Sequence, residues 1–126
     1  MSKILIVDDE ANLRLLYRKE LEELGYEVLD AATAEEGVRA FESEHPDLVV
    51  LDVRMPGMNG LEAMARILDR DRRVPIVLNT AFDSYRDDFT SWAADAYVTK
   101  SPDTTELKQT IKRLLEEREH VGPPEL

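Results

Sequence analysis

The stretch DLVVLDVRMPGMNG, residues 47–60, decides how the chain is read. Leu48 to Leu51 are apolar without alternation, the pattern of a strand buried on both faces. Asp52 closes that strand, and a Met-Pro-Gly turn follows that breaks any helix. Such a strand belongs to a parallel sheet covered by helices on either side. Its carboxylate end then lies at the rim where α/β sheets of this kind bind their ligands.

Strand-like and helix-like segments alternate along the rest of the chain. KILIV (3–7) is a short apolar, β-branched run. Residues 11–24 place Leu13, Leu16, Tyr17, Leu21 and Leu24 at helical spacing, and Gly25 supplies the stop. YEVLDA (26–31) is a less apolar strand, which suits a position nearer an edge. Thr33 and Glu36 make a capping box that opens a helix to about Glu44, and Pro46 separates it from the third strand. Asn59 with Glu62 opens the next helix, to about Asp69. Pro75 precedes a fourth strand, IVLN. Tyr85, Phe89, Trp92 and Ala93 share one face of an amphipathic helix over 84–93, with Trp92 read as core. AYVT (96–99) is the fifth strand. Asp103 with Glu106 opens a last helix to about Glu119, with Leu107, Ile111, Leu114 and Leu115 as its stripe. HVGPPEL (120–126) breaks the helix and reads as a flexible tail or the start of a linker.

Five β-α units in series predict an α/β fold: a doubly wound, five-stranded parallel sheet with five helices on its two faces. Right-handed crossovers favour the order 2-1-3-4-5, which opens a crevice between strands 1 and 3 at their C-terminal ends. The 126 residues make one domain, residues 1–119, with 120–126 as the tail. A net charge of −11 argues against direct contact with nucleic acid or an anionic membrane, which need a basic face. There are no cysteines, so disulfide and thiol chemistry are excluded. MSKILIVDDE has no signal-peptide pattern and no run reaches membrane-spanning length, so a cytoplasmic protein is expected.

The strand ends carry the chemistry. Strand 1 ends in Asp8-Asp9 and strand 3 in Asp52, so three carboxylates converge on the crevice; strand 4 ends in Thr80 and strand 5 in Lys100. Singly each has an ordinary reading: Asp9 as a helix cap, Asp52 as a turn starter, Thr80 as a loop hydroxyl, Lys100 as a solvated amine. Together, at one rim, they form a site. Two carboxylates about 4 Å apart repel by roughly 4 kcal/mol at an effective dielectric of 20, so one keeps its proton or a cation joins them. Oxygen ligands without His or Cys suit Mg²⁺. A carboxylate beside Mg²⁺ and a lysine can attack a phosphoryl group and form an aspartyl-phosphate.

ILIVDDE, DLVVLDVRMPGMNGLE, VLNTAF and AYVTK resemble the blocks of the receiver domain of two-component response regulators, of the single-domain kind found in chemotaxis and sporulation. The resemblance spans about Lys3 to Glu119, and LDVRMPGMNG is its most specific part. It implies a flavodoxin-like fold; the 2-1-3-4-5 order is also that of the chemotaxis members and is no independent prediction. It implies Asp52 as phosphoacceptor. Mg²⁺ would be held by Asp8, Asp9, Asp52 and the backbone carbonyl of Arg54. Lys100 would pair with the carboxylate and then the phosphoryl oxygens. Thr80 would be the switch hydroxyl. Tyr97 would be the switch aromatic, an ordinary strand aromatic being the other reading. Arg54 and Phe82 would tune phosphoryl lifetime. The donor would be a phosphohistidine on a sensor histidine kinase or a histidine phosphotransfer protein, since His45 and His120 read as exposed and remote. Output, and a homodimer, would use the face made by the helix over 84–93, the fifth strand and the last helix.

The sequence departs from the family pattern after strand 5. Lys100-Ser101-Pro102 replaces the usual Lys-Pro, whose bond is often cis; a cis bond before Ser101 would cost about 2.5–4 kcal/mol more than trans. The segment from Thr80 to Lys100 is slightly short and carries SWAADA in place of the common Ala-Gly step.

Three other readings stay in view. A Mg²⁺-dependent phosphohydrolase would need a substrate cap and a second acid–base residue, neither of which is evident, so no turnover enzyme is expected. An interaction module that is never phosphorylated has no use for the complete set of five residues. A flavin- or nucleotide-binding protein is disfavoured because Gly-x-Gly-x-x-Gly and a Gly-Lys-Ser/Thr loop are both absent.

Overall fold

The computed structural model describes residues 1–81 and 93–121. The elements are β1 (Lys3–Val7), α1 (Ala11–Glu23), β2 (Glu27–Ala31), α2 (Ala34–Glu44), β3 (Leu48–Leu51), α3 (Gly60–Arg70), β4 (Ile76–Thr80), β5 (Ala96–Thr99) and α4 (Thr105–Val121). All strands are parallel, in the order β2-β1-β3-β4-β5. The doubly wound sheet is therefore as expected. Four helices lie among the described residues, and α4 is the one expected as the fifth. The helix expected over 84–93, with Trp92, falls on residues outside the description apart from Ala93, which has 3₁₀ geometry.

Local chemistry sets the boundaries. Thr33 Oγ1 accepts from Glu36 N at 3.1 Å, while Glu36 reaches back to Ala32 N at 3.2 Å, one residue earlier than a standard capping box. Asn59 Oδ1 accepts from Glu62 N at 3.0 Å and starts α3. Gly25, with φ of 94°, turns the chain out of α1, a conformation that costs glycine little. The last helix starts later than expected. Asp103 Oδ1 takes the amide of Thr105 at 2.9 Å and its hydroxyl at 2.6 Å, so Asp103 closes a local turn and α4 begins at Thr105. It ends at Val121 rather than at Glu119. No cis peptide bond occurs among the described residues, so the Lys100–Ser101 bond is trans.

The sheet separates two apolar layers. One holds Leu5, Val7, Val49, Leu51, Ile76 and Leu78 against Val38 and Phe41 of α2 and Met64 and Ile67 of α3. The other holds Ile4, Ile6, Val50, Val77 and Val98 against Tyr17 and Leu21 of α1 and Leu107, Ile111 and Leu114 of α4. β3 is buried at every position, which accounts for its unbroken apolar run. β2 and β5 are the edges; β2 exposes Glu27 and Asp30.

Candidate functional site

The site is built where β1 and β3 end side by side. Asp8 N donates to Ala31 O at 3.1 Å and Asp52 N to Val7 O at 2.9 Å, so the ladder hydrogen bonding continues one residue past each strand. Both carboxylates are thereby fixed at the switch point. Asp8 and Asp52 are almost fully buried, at 2% and 5% exposure, while Asp9 is exposed. Asp8, Asp9 and Asp52 each offer a carboxylate oxygen within 4.8 Å of the others. Asp9 is not the cap of α1: that position is Glu10, whose amide donates to Asp8 Oδ1 at 2.8 Å.

Lys100 closes the cluster from β5. Its ammonium lies 2.9 Å from Asp8 Oδ2, 2.9 Å from Asp52 Oδ2 and 3.4 Å from Glu10 Oε1. Burial works against its charge, but the hydrogen bonds and coulombic pull of Asp52 and Asp8 outweigh it and hold the ammonium above lysine's usual range. Burial also pushes the Asp52 carboxyl up; Lys100 pulls it down, and Asp8 and Asp9 push it up further. The crevice therefore holds more acid than one lysine can balance. Its donors are all oxygen, closely grouped and partly open to solvent, which fits a hard divalent cation such as Mg²⁺.

The flanking residues take separate positions. Thr80 is fully buried at the end of β4, and its carbonyl accepts from Lys100 N at 2.9 Å. Tyr97 is half-buried against the layer under α2 and α3. Arg54 is exposed two residues past Asp52. Phe82 lies outside the described residues. His45 ends α2 in the left-handed conformation, with φ of 49°, at the pole opposite the crevice.

Several contributors escape a reading of the strand ends. Glu10 adds a fourth carboxylate, facing Lys100. Arg14 donates from its guanidinium to the Asp8 carbonyl at 2.7 Å. Gly60 N donates to Val53 O at 2.8 Å, and the glycine's Cα lies where a Cβ would collide with the Asp52 carbonyl. Glu35 Oε1 accepts from Met58 N at 3.2 Å and ties α2 to the loop after Asp52. Only Glu10 had a local signal, as a third acid after the strand.

The profile of the response regulator receiver domain matches residues 4–112. The chain belongs to the response regulator receiver family. Among solved structures, this receiver resembles the response regulator protein TrrA of Thermotoga maritima, determined in complex with Mg²⁺-BeF, with 47% identity, a TM-score of 0.88, and coverage of 90% of this chain and 99% of that one. It also resembles a CheY-like receiver domain protein of Methanospirillum hungatei JF-1, with 33% identity, a TM-score of 0.92, and coverage of 97% and 99%. A further structure captures TrrA with the histidine kinase ThkA, where identity is 48%, the TM-score 0.86, and coverage 91% and 99%. Among curated proteins, the alkaline phosphatase synthesis transcriptional regulatory protein PhoP of Bacillus subtilis (strain 168) is 36% identical over 96% of this chain and 51% of its own length. The probable transcriptional regulator ycf27 of Cyanophora paradoxa is 40% identical over 94% and 50%. The receiver thus spans about half the length of these curated relatives. No helix among its described residues is long and apolar enough to cross a membrane.

Proposed function

We propose that this receiver is a phosphorylatable switch that takes a phosphoryl group onto Asp52 from a phosphohistidine on a partner kinase or phosphotransfer protein. The observation that carries this is the Lys100 ammonium held between Asp8 and Asp52, 2.9 Å from each, beside the three-carboxylate cluster. A structure of TrrA in complex with Mg²⁺-BeF and another with its histidine kinase support the same reading.

Asp8, Asp9 and Asp52, with the backbone carbonyl of Arg54, would hold Mg²⁺, which supplies charge compensation for phosphoryl oxygens. Asp52 acts as the nucleophile: its carboxylate oxygen forms the new O–P bond while the P–N bond of the phosphohistidine breaks and the imidazole leaves with the electron pair. Lys100 pairs with a phosphoryl oxygen in exchange for Asp52. Thr80 then donates its hydroxyl to the phosphoryl group, and Tyr97 adjusts to the space that Thr80 vacates. The added charge, about −1.5 to −2 for a protein phosphate, favours the state that makes these contacts. Arg54 and Phe82, two residues after Asp52 and Thr80 in the sequence, would set how readily water reaches the phosphoryl group. The domain assists its own phosphorylation and does not turn over a substrate. We place it in the cytoplasm, where such kinases present their phosphohistidine.

The test is an intact mass after incubation with Mg²⁺ and acetyl phosphate, with Asp52→Asn as control. One hydroxylamine-labile phosphoryl adduct, absent from the variant, is expected. No adduct from either acetyl phosphate or a phosphorylated histidine kinase would leave a receiver-shaped interaction module instead, and steady hydrolysis of a phosphomonoester would indicate a phosphohydrolase.

A further inference from the structure

We propose that Tyr17 and Asn79 form a positioning pair that holds Lys100 and Thr80 in register for phosphoryl acceptance. The proposal rests on the reading of Asp52 as the phosphoacceptor. Tyr17, on α1, donates its hydroxyl to Asn79 Oδ1 on β4 at 2.9 Å, and Asn79 Nδ2 donates to the Val98 carbonyl on β5 at 3.0 Å. Tyr17 and Asn79 are each 2% exposed and lie in an otherwise apolar layer. Burying a polar pair there gains little over an apolar pair of the same shape, so stability alone gives no reason for it.

Its placement supplies a reason. Asn79 immediately precedes Thr80, and Val98 lies two residues before Lys100. β5 is a four-residue edge strand that pairs with β4. Under the loop that follows it lies a cleft of about 120 Å³ bordered by Tyr17, Asn79, Val98, Ser101 and Thr104. Thr99 and Ser101, on either side of Lys100, also border this cleft. The Asn79 amide fixes Val98 to β4, Lys100 N fixes the next step to Thr80 O, and Tyr17 fixes the rotamer of Asn79. Burial raises the pKa of the tyrosine phenol, with smaller contributions from the charges of Lys100, Asp8 and Asp52.

The test uses Tyr17→Phe, Asn79→Leu and the double variant, each compared with wild type by thermal melting, Mg²⁺ titration calorimetry and the rate of Asp52 phosphorylation at saturating acetyl phosphate and Mg²⁺. Each single variant strands a buried polar partner or removes the amide, whereas the double variant restores an apolar contact between the two side chains and recovers part of the melting temperature, the Val98 carbonyl still lacking its Asn79 donor. A positioning role predicts that phosphorylation stays slow in the double variant, about tenfold or more below wild type, because a misplacement of about 1 Å can cost about a hundredfold. The Mg²⁺ dissociation constant should rise by no more than about twofold, since the carboxylates are held by β1 and β3. A double variant that regains the wild-type rate along with its stability would overturn the proposal, as would a rate loss fully explained by weaker Mg²⁺ binding. If the double variant does not fold, Tyr17→Phe decides alone, its rate normalised to the folded fraction. A wild-type protein that takes no phosphoryl group overturns the underlying reading, and the pair with it.

Discussion

The backbone of Gly60 lies directly against the carbonyl oxygen of Asp52, with no room between them for a side chain. The first turn of α3 is thereby packed onto the end of β3. This explains the spacing from Asp52 to the last glycine of the PGMNG turn. Gly60→Ala must push α3 away or shift the strand end, and overpacking of this kind typically costs about 1–3 kcal/mol. Urea unfolding should show that loss. Calorimetry should show weaker Mg²⁺ binding, because the displaced backbone carries the Asp52 carboxylate.

Asp52 is a buried acid whose pKa is raised, first by burial, so the folded protein holds its proton more tightly than the unfolded chain does. The stability contributed by this group is therefore lost as pH rises through the raised value, the reverse of a carboxylate in a favourable ion pair. In metal-free buffer at neutral pH, Asp52→Asn should raise the melting temperature. Saturating Mg²⁺ should stabilise wild type and erase the advantage. A variant less stable than metal-free wild type at pH 7 would refute this.

A divalent cation held by Asp8 and Asp52 would compete with Lys100, whose ammonium sits 2.9 Å from each. Lys100→Met should tighten Mg²⁺ binding by about tenfold, equivalent to about 1.4 kcal/mol, while nearly abolishing phosphorylation of Asp52. Calorimetry and intact mass measured on the same preparation check the two halves. Because the Lys100 pKa is raised, the stability from its pairing persists below the ordinary lysine value and is lost only as pH rises above it.

Glu35 ties the loop after Asp52 to the start of α2 through Met58 N. Hydrogen bonds from backbone amides, its own and that of Met58, hold its carboxyl below the usual glutamate range. That contribution is present above the ordinary glutamate pKa and disappears as pH falls through the lowered value. After correction for intrinsic rates, hydrogen exchange at the Met58 amide should accelerate in Glu35→Ala at neutral pH. In wild type the same change should appear only in acid. Unchanged protection at Met58 in the variant would show that the loop is held by other contacts.

The sheet was readable because its chemistry is local. LVVL has no alternation, Thr33–Glu36 and Asn59–Glu62 mark helix starts, and Asp8, Asp9, Asp52, Thr80 and Lys100 each fall at or just past a strand end. What escaped depends on partners distant in the chain. Tyr17 satisfies the apolar stripe of α1, and nothing near it in sequence announces Asn79, 62 residues away. The requirement at Gly60 comes from a backbone approach that composition cannot reveal. α4 begins at Thr105, slightly later than the Asp103–Glu106 spacing implies, because the Asp103 carboxylate binds the amide and hydroxyl of Thr105 rather than reaching Glu106.

The charged edge at β2 also governs how copies of this chain can meet. A sheet edge offers unpaired backbone groups to any similar edge, and uncontrolled strand addition leads toward aggregation. Glu27 and Asp30 stand on this edge, with Lys3 and Arg18 paired to them from within the same molecule. Two molecules approaching through β2 would bring acid against acid, in a chain whose net charge is already −11. The edge is thus guarded against adding a further strand.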